Sequence, residues 1–496
     1  MRRAARKADK SYPVHRRLGE NRQILEHQFQ QNAEIQFREI TFGTGRGTRR
    51  VLFLYTLGFT DMDALNQFVL PIFHDYFAGN HGRLTASHLK ATMPLIIASV
   101  SENIEGIAAE IYRGMLVVIV DGINAGFAVD VANPPQRQPE EPRTEVSIRG
   151  PRDGFVEDID INIALVRKRL PSSALRVEQF VVGMRTQTRV MFVYLSDIID
   201  SQIVKDVRKR LGDIYVDGIM TSTQLEELLA DTKHRLVPSF SYSGRPDFVG
   251  NALLKGRFAV FMDGTPAAVI GPANLALLFQ SAEDDYINSP FLFVQRYLRF
   301  MGAVFSIFLP GLYVAIVTYH IDRIPINLLG TFVTARHGVP VPTPVEVLIM
   351  LGIFEMLREA GNRLPAGLGQ TLAVVGGLII GEAAIEAGLV SSTVLVITGT
   401  TAVASFTISN QSLAGSFVVF RLVIVVLSAI LGEFGFLMGL YACLIYLSTI
   451  QSFGVPYLSP FSPFRPKDVR STFGAQSTDT PHKRPTILRA KDQTRT

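Results

Sequence analysis

One stretch limits the folds open to this chain more than any other. Residues 301–452 hold twelve charged side chains in 152 positions: Asp322, Arg323, Arg336, Glu346, Glu355, Arg358, Glu359, Arg363, Glu382, Glu386, Arg421 and Glu433. That is about 8%, against about 24% in the other 344 residues. The second figure is ordinary for a globular protein and the first belongs to segments that face lipid. The chain-wide values, 47% hydrophobic and 19% charged over 496 residues, therefore average two solvents. A single soluble domain, a disordered chain and a disulfide scaffold are all excluded. The one cysteine, Cys443, lies in an apolar run. It can join neither a disulfide nor a cysteine-based metal cluster within one chain, and reads as a packing residue.

Residues 1–47 are polar and basic and end in FGTGRG (Phe42–Gly47), which reads as a flexible arm. No apolar h-region follows the basic N-terminus. The first strongly apolar stretch, Val51 to Phe59, is too short to span and suits a buried strand. The region ahead of the apolar segments is accordingly expected to stay in the cytoplasm.

From Thr48 strand and helix patterns alternate, as in an α/β fold. Val51–Phe59 reads as a strand, Asp61–Phe77 as a helix capped by Asp61, and SENIEGIAAEIYRG as an amphipathic helix. MLVVIVDG (Met115–Gly122) and the return NAGFAVDV form a hairpin pattern, and Asn133–Glu145, rich in proline and charge, suits a linker. A second α/β unit follows, with helices at Asp153–Leu170, Ser201–Leu211 and Thr223–Asp231 and a strand in TRVMFVYLSDI. Arg257–Gly271 (RFAVFMDGTPAAVIG) repeats the strand–Asp-Gly–strand pattern about 140 residues on, which suggests two related subdomains.

From Tyr297 the character is that of a membrane protein. Met301–Tyr319, with Pro310 and Gly311 inside it, and Thr371–Val390 read as spans. Val345–Leu357 is apolar for only about 13 residues, where a crossing needs about 20, and suits a half helix. Thr393–Phe406, Phe417–Leu431 and Phe434–Ile450 complete a count of four to six crossings, the last two separated by Gly432-Glu433. The tail Arg465–Thr496 has eight Lys/Arg against three Asp, and Arg296 and Arg299 flank the first span. By the positive-inside rule both flanks are cytoplasmic, so the number of crossings is expected to be even.

No constellation points to catalysis, a cofactor or a metal. FGTGRG precedes a strand and lacks the Gly-Lys-Ser/Thr ending of a phosphate loop. His-Glu-x-x-His and Gly-x-Ser-x-Gly are both missing from the sequence. Glu226-Glu227 and Asp284-Asp285 read as helix-surface or cap residues. The RKR runs at 167–169 and 208–210 read as solvated helix faces, without the interleaved aromatics of a single-strand nucleic-acid binder.

The charges in the apolar region carry the sharpest chemical signal. Glu382 and Glu386, four apart, share one face of a helix, and ionisable groups at membrane depth normally face water, a bundle interior or a partner. Arg421 is a possible partner and Glu433 sits at a turn. These four are candidates for an ion pathway; structural hydrogen bonding or a place near the membrane surface is the blander alternative. Pro310-Gly311 and the run Pro340, Pro342, Pro344 are candidate hinges of a gate, or merely shape a loop. Glu355, Arg358, Glu359 and Arg363 form a candidate ion-pair network for coupling.

SENIEGIAAEIYRGMLVVIVDG and EPRTEVSIRGPRDGFVEDIDINIALVRKRL resemble the soluble domain of the A subunit of bacterial spore germinant receptors, the GerA family. The second half is similar to it in the same order, through SAEDDY (281–286), LPGLYVAIVTYH (309–320), RHGVPVPTPVEVLIMLGIFEMLREAGNRLP (336–365), VVGGLIIGEAAIEAGLVSS (374–392) and QSFGVPYLSPFSP (451–463). Asp285-Tyr286, where a Tyr-Tyr pair is frequent, and Asn362 depart from the pattern. The resemblance implies a nutrient-sensing complex in the inner spore membrane, with a transporter-like B subunit and a C-subunit lipoprotein as partners. It further implies a homo-oligomeric ring, taken as a pentamer, forming a germinant-gated channel for monovalent cations. No cofactor, nucleic-acid partner or enzymatic activity is implied.

The expected architecture is multidomain: a basic arm (1–47), α/β subdomains at 48–140 and 141–290, a polytopic helical transmembrane domain (291–452) in contact with membrane lipids, and a basic cytoplasmic tail (453–496). The rival functions are a non-conducting scaffold, a secondary transporter, which inverted repeats would support, and a membrane-anchored enzyme.

Overall fold

The two strand–Asp-Gly–strand units occupy the same place in two copies of one fold. The computed structural model describes residues 12–43, 48–79, 85–93, 97–132, 149–232, 235–363, 368–473, 482–492 and 494–495. In the first subdomain α1 (Leu18–Gln28) precedes β1 (Ile35–Phe42) and β2 (Arg49–Thr56). Then come α2 (Met62–Ala64), capped by Asp61, a π-helical turn at Leu65–Val69, α3 (Leu70–Gly79) and α4 (Ala86–Thr92). β3 (Ile97–Ser101), α5 (Ile104–Tyr112), β4 (Leu116–Val120) and β5 (Gly126–Val129) complete it. The second subdomain repeats the series with α6 (Ile159–Arg169), β6 (Leu175–Val182), β7 (Thr188–Leu195), α7 (Ser201–Gly212), α8 (Ser222–Leu229), β8 (Ser241–Ser243), α9 (Pro246–Leu254), β9 (Phe258–Met262) and β10 (Ala268–Gly271).

The antiparallel sheets have equivalent orders, β1-β2-β4-β5-β3 and β6-β7-β9-β10-β8. Helices cover both faces of each sheet, so β4 and β9 are buried at every residue and read as unbroken apolar runs rather than alternating ones. The likeness reaches single hydrogen bonds. Asn21 and Asn162, both fully buried, each pair twice with a backbone six residues earlier, at His15 (2.8 and 2.6 Å) and Val156 (2.8 and 2.6 Å). At the hairpin turns Asp121 N–H donates to Arg50 O (2.9 Å) and Asp263 N–H to Arg189 O (3.0 Å). The glycines that follow need the left-handed region: Gly122 has φ 93° and Gly264 φ 81°.

Two expected boundaries are corrected. Residues 18–42 are no free arm, because α1 and β1 belong to the first subdomain: Leu18 and Leu25 enter its core and the charges of β1 lie on an outer sheet edge. Nor is the region after 453 a free tail. Phe453 and Tyr457 are buried against the second subdomain, Leu275 N–H donates to Tyr457 O (2.8 Å), Arg484 Nε donates to Leu254 O (2.8 Å) and Lys491 N–H to Ile198 O (2.8 Å). Several of the basic residues that marked a tail are thus donors to the fold. The Asn133–Glu145 linker and residues 44–47 of FGTGRG lie outside the described residues.

The apolar region is helical. After α10 (Leu275–Leu278) it comprises α11 (Ser289–Tyr319), α12 (Ile326–Ala335), α13 (Thr343–Arg363), α14 (Leu368–Glu386), α15 (Ser392–Phe406) and α16 (Gln411–Thr449). Among the described residues two helices are long and apolar enough to cross a membrane, Pro290–Tyr319 and Gln411–Thr449, with mean hydropathy 2.1 and 2.5. α16 is not one rod, since Gly432 has φ 61° and ψ −137°. The Phe420 and Tyr446 rings are 5.8 Å apart, whereas a straight helix would separate them by about 39 Å. It is a hairpin with arms at 411–431 and 433–449. α13, expected as a half helix, has 21 residues, because its polar end Glu355–Arg363 stays helical through i,i+3 and i,i+4 ion pairs.

Candidate functional site

The chain enters and leaves the helical region at the same place, the second subdomain, and the polar groups of that junction hold it there. Asp284, buried ahead of α11, accepts from Arg296 Nε (3.0 Å) and Arg299 Nη1 (2.7 Å) of α11's first turns. Arg296 also donates to Thr472 O (2.8 Å). Both arginines counted as flanking charge thus serve an internal carboxylate, and Asp284 is buried rather than a surface residue. Alongside, Arg245 is clamped between Asp247 and Glu283, and Tyr286 donates to Asp247 (2.9 Å). Burial and that bond push the Tyr286 hydroxyl up to about 12.

The returning chain is held by Arg257 and Asn274. Arg257 donates to Pro272 O and to Asn274 Oδ1 (3.0 Å), and Asn274 Nδ2 donates to Ser459 O (2.8 Å). Burial lowers Arg257 to about 10. The RKR runs are partly internal: Lys168, Arg169 and Lys209 are solvated as expected, whereas Arg167 is buried and Arg208 and Arg210 are half-buried. Arg167 forms a buried ion pair with Glu34 that ties the subdomains together, Arg208 chelates Glu178 (2.7 and 2.6 Å), and Arg210 lies over the Phe453 ring at 4.3 Å. A cavity of about 790 Å³ separates α8 and the strand β8 region from the start of α16, with Glu226, Arg235 and Asn410 in its lining. Burial, with Glu227 beside it, pushes the Glu226 carboxyl up to about 7.

Inside the helical region the structure pairs the expected charges differently. Arg421, 3% exposed, donates to Glu355 Oε2 (3.2 Å), not to Glu382 or Glu386. Packing of α16 on α13 decides this partner. Arg358 takes the other oxygen of Glu355, and Arg363 pairs with Glu359 at 2.9 Å, so the four residues of the coupling motif form two ion pairs. Glu433 sits at the α16 bend with Arg323 at 3.1 Å and His320 at 3.9 Å. Glu382 and Glu386 share an exposed face of α14 with no partner among the described residues. Of the hinge candidates, Pro310 and Gly311 leave α11 unbroken, and Gly311 is a packing position where a Cβ would come within 2.6 Å of Ile424. Pro340, Pro342 and Pro344 lie at the turn into α13, where Pro342 O accepts from Val345 and Glu346.

Glu346 is a site that sequence reasoning passed over. It is fully buried, accepts from the Ser391 N–H and Oγ (both 2.9 Å) and has Arg336 at 3.7 Å. The signal was the Thr343-Pro-Val-Glu346 spacing, that of a capping box, though the glutamate here caps α15 rather than its own helix.

The Bacillus/Clostridium GerA spore germination protein family matches residues 23–487. Spore germination protein XA of Bacillus anthracis is 37% identical over 96% of this chain and 97% of its own length. Spore germination protein GerLA of Bacillus cereus is 33% identical over 93% of each. The crystal structure of the N-terminal domain of the A subunit of the Bacillus megaterium spore germinant receptor GerK3 is 26% identical, with a TM-score of 0.41, over 53% of this chain and 97% of that one. A match that runs from the first helix through the membrane-type helices and back to the second subdomain leaves one assignment: the chain belongs to the GerA family of spore germination proteins.

Proposed function

We propose that this chain is the A subunit of a nutrient germinant receptor in the inner spore membrane, converting germinant sensing into the start of germination. The observation that carries the reading is the family match over nearly the whole length, because XA and GerLA, which match this chain over more than nine-tenths of its length, are named as spore germination proteins. Its partners are then a transporter-like B subunit, a C-subunit lipoprotein and further copies of itself. Entry and exit of the helices at one subdomain favour an even number of crossings, four to six, with both α/β subdomains and the C-terminal segment on the cytoplasmic side.

In the same proposal the helices of several copies, taken as five, surround a germinant-gated path for monovalent cations. Apart from Asp322, Glu382 and Glu386 are the only described carboxylates of this region without an arginine partner. Two such groups on one exposed face are costly in lipid and suit a water-filled passage or a subunit contact. The Glu355–Arg421 and Glu346–Ser391 contacts then transmit motion between helices, and the junction at Asp284 links them to the soluble part. The test is reconstitution of the chain with B and C subunits in vesicles and measurement of cation efflux with and without nutrient. Nutrient-triggered efflux that falls several-fold in the double variant Glu382→Gln, Glu386→Gln supports the channel. Nutrient-dependent complex formation without efflux would leave a non-conducting scaffold.

A further inference from the structure

The first three turns of α11 are amphipathic the wrong way round for a soluble protein. Phe291, Phe293, Val294, Tyr297 and Leu298 fall within an arc of roughly 160° at 100° per residue. All five are between 48% and 60% exposed. The opposite side carries Arg296 and Arg299, and these turn inward to Asp284. The polar side of this segment therefore faces protein, and its apolar side faces outward.

Length says what lies outside. At 31 residues α11 is about 46 Å long, more than the roughly 30 Å of a hydrocarbon core and close to the 40–45 Å of a bilayer with its headgroups. Tyr297 and Tyr319, each 49% exposed, lie about 33 Å apart along it, which is about 31 Å across the bilayer at an ordinary tilt of about 20°. Tyrosine favours the two membrane–water boundaries. With these two at the boundaries, Leu298 enters the acyl chains, Phe293 reaches headgroup depth, and His320, Arg323 and Glu433 lie in the opposite headgroup layer. The apolar face is the first part of the apolar helix Pro290–Tyr319 itself, and the exposed Phe305 and Leu312 lie further along that helix.

We propose that this face of α11, from Phe293 and Val294 to Tyr297 and Leu298, is a lipid contact at the headgroup–acyl boundary, with Phe291 at the outer rim of the headgroups, so that the second α/β subdomain sits directly on the bilayer surface. It rests on the membrane reading above and adds where the boundary lies and which residues meet it. The competing occupant is a protein surface, from a second copy or another subunit.

The chain has no tryptophan, so single substitutions report without background. Phe293→Trp, Tyr297→Trp, Phe305→Trp and Tyr215→Trp replace one exposed aromatic by another. The full chain is reconstituted in vesicles of equal parts phosphatidylcholine and phosphatidylglycerol, with acyl chains brominated near the headgroup or near the bilayer centre. Tyr297→Trp is expected to emit to the blue and to lose about half its intensity with shallow bromine, less with deep. Phe293→Trp should show a smaller loss, and Tyr215→Trp, 82% exposed on the soluble part, none. Blue, unquenched emission at 293 and 297 would mean a protein covers the face; emission like that of Tyr215→Trp would mean water does. Either overturns the proposal while Phe305→Trp, mid-helix, is still quenched. If Phe305→Trp is itself unquenched, the membrane reading fails and takes the proposal with it.

Discussion

The two α/β subdomains share a sheet order, a buried asparagine hook and an Arg–Asp–Gly turn, and they differ in what completes them. The first is closed by its own helices. The second is closed by residues that return from beyond the apolar helices: Phe453 joins its Phe240 and Phe258, and Tyr457 and Ser459 satisfy its backbone and Asn274. A common scaffold thus says little about role. What separates the copies is which one is bonded to the helical region.

The largest difference between the copies is expected at the return segment. Tyr457→Ala should cost about 3–5 kcal/mol, as for other buried aromatics, and raise hydrogen exchange in the second subdomain while leaving the first unchanged. Tyr457→Phe should be near neutral, since the buried hydroxyl has no partner among the described residues. Glu34→Ala strands the buried Arg167 at the seam between the copies, at a cost of about 3–5 kcal/mol, and should expose both to proteolysis at that seam.

The asparagine hooks sharpen the likeness instead. Asn21→Ala and Asn162→Ala should each cost about 1–3 kcal/mol, by similar amounts, with local exchange rising only in the altered copy. The cavity at α8 lies between the second copy and the start of α16. Its Glu226 carboxyl is raised from 4.5 to about 7, so the unfolded chain releases that proton first. Stability from this group is present below about pH 4.5 and is lost as pH rises to about 7, by no more than about 2 kcal/mol after screening. Glu226→Gln should flatten that part of a stability–pH curve. Smallest of all, Arg50→Ala and Arg189→Ala should each cost under about 1 kcal/mol, because both turn ion pairs are partly exposed.

The parts of the fold that were legible in the sequence owe that to local causes. Asp-Gly between apolar runs marks both hairpins, and the periodic apolar residues of Ser201–Leu211 mark a helix to within one residue. α1 and β1 were missed because charges (Glu20, Arg22, Glu26, Arg38 and Glu39) are interleaved with the side chains that reach the core, Leu18, Leu25, Ile35 and Phe42. The candidate site was legible as composition and not as pairing. Arg421 was matched to Glu382 and Glu386 as the one basic group among the later apolar segments, yet its partner is Glu355, 66 residues away. Glu346 finds Ser391 across 45 residues, a distance at which no spacing rule operates.

One consequence follows from the chain entering and leaving the helices at the same subdomain. During synthesis the first subdomain is finished as soon as β5 has emerged. The second has all its strands by Gly271 but lacks Phe453, Tyr457, Ser459 and Lys491, which come only after every apolar helix has been made. Its completion therefore registers that the helical region is in place: a chain stalled or clipped between α11 and α16 leaves Phe240, Phe258 and Asn274 uncovered, a surface that quality-control proteases can read.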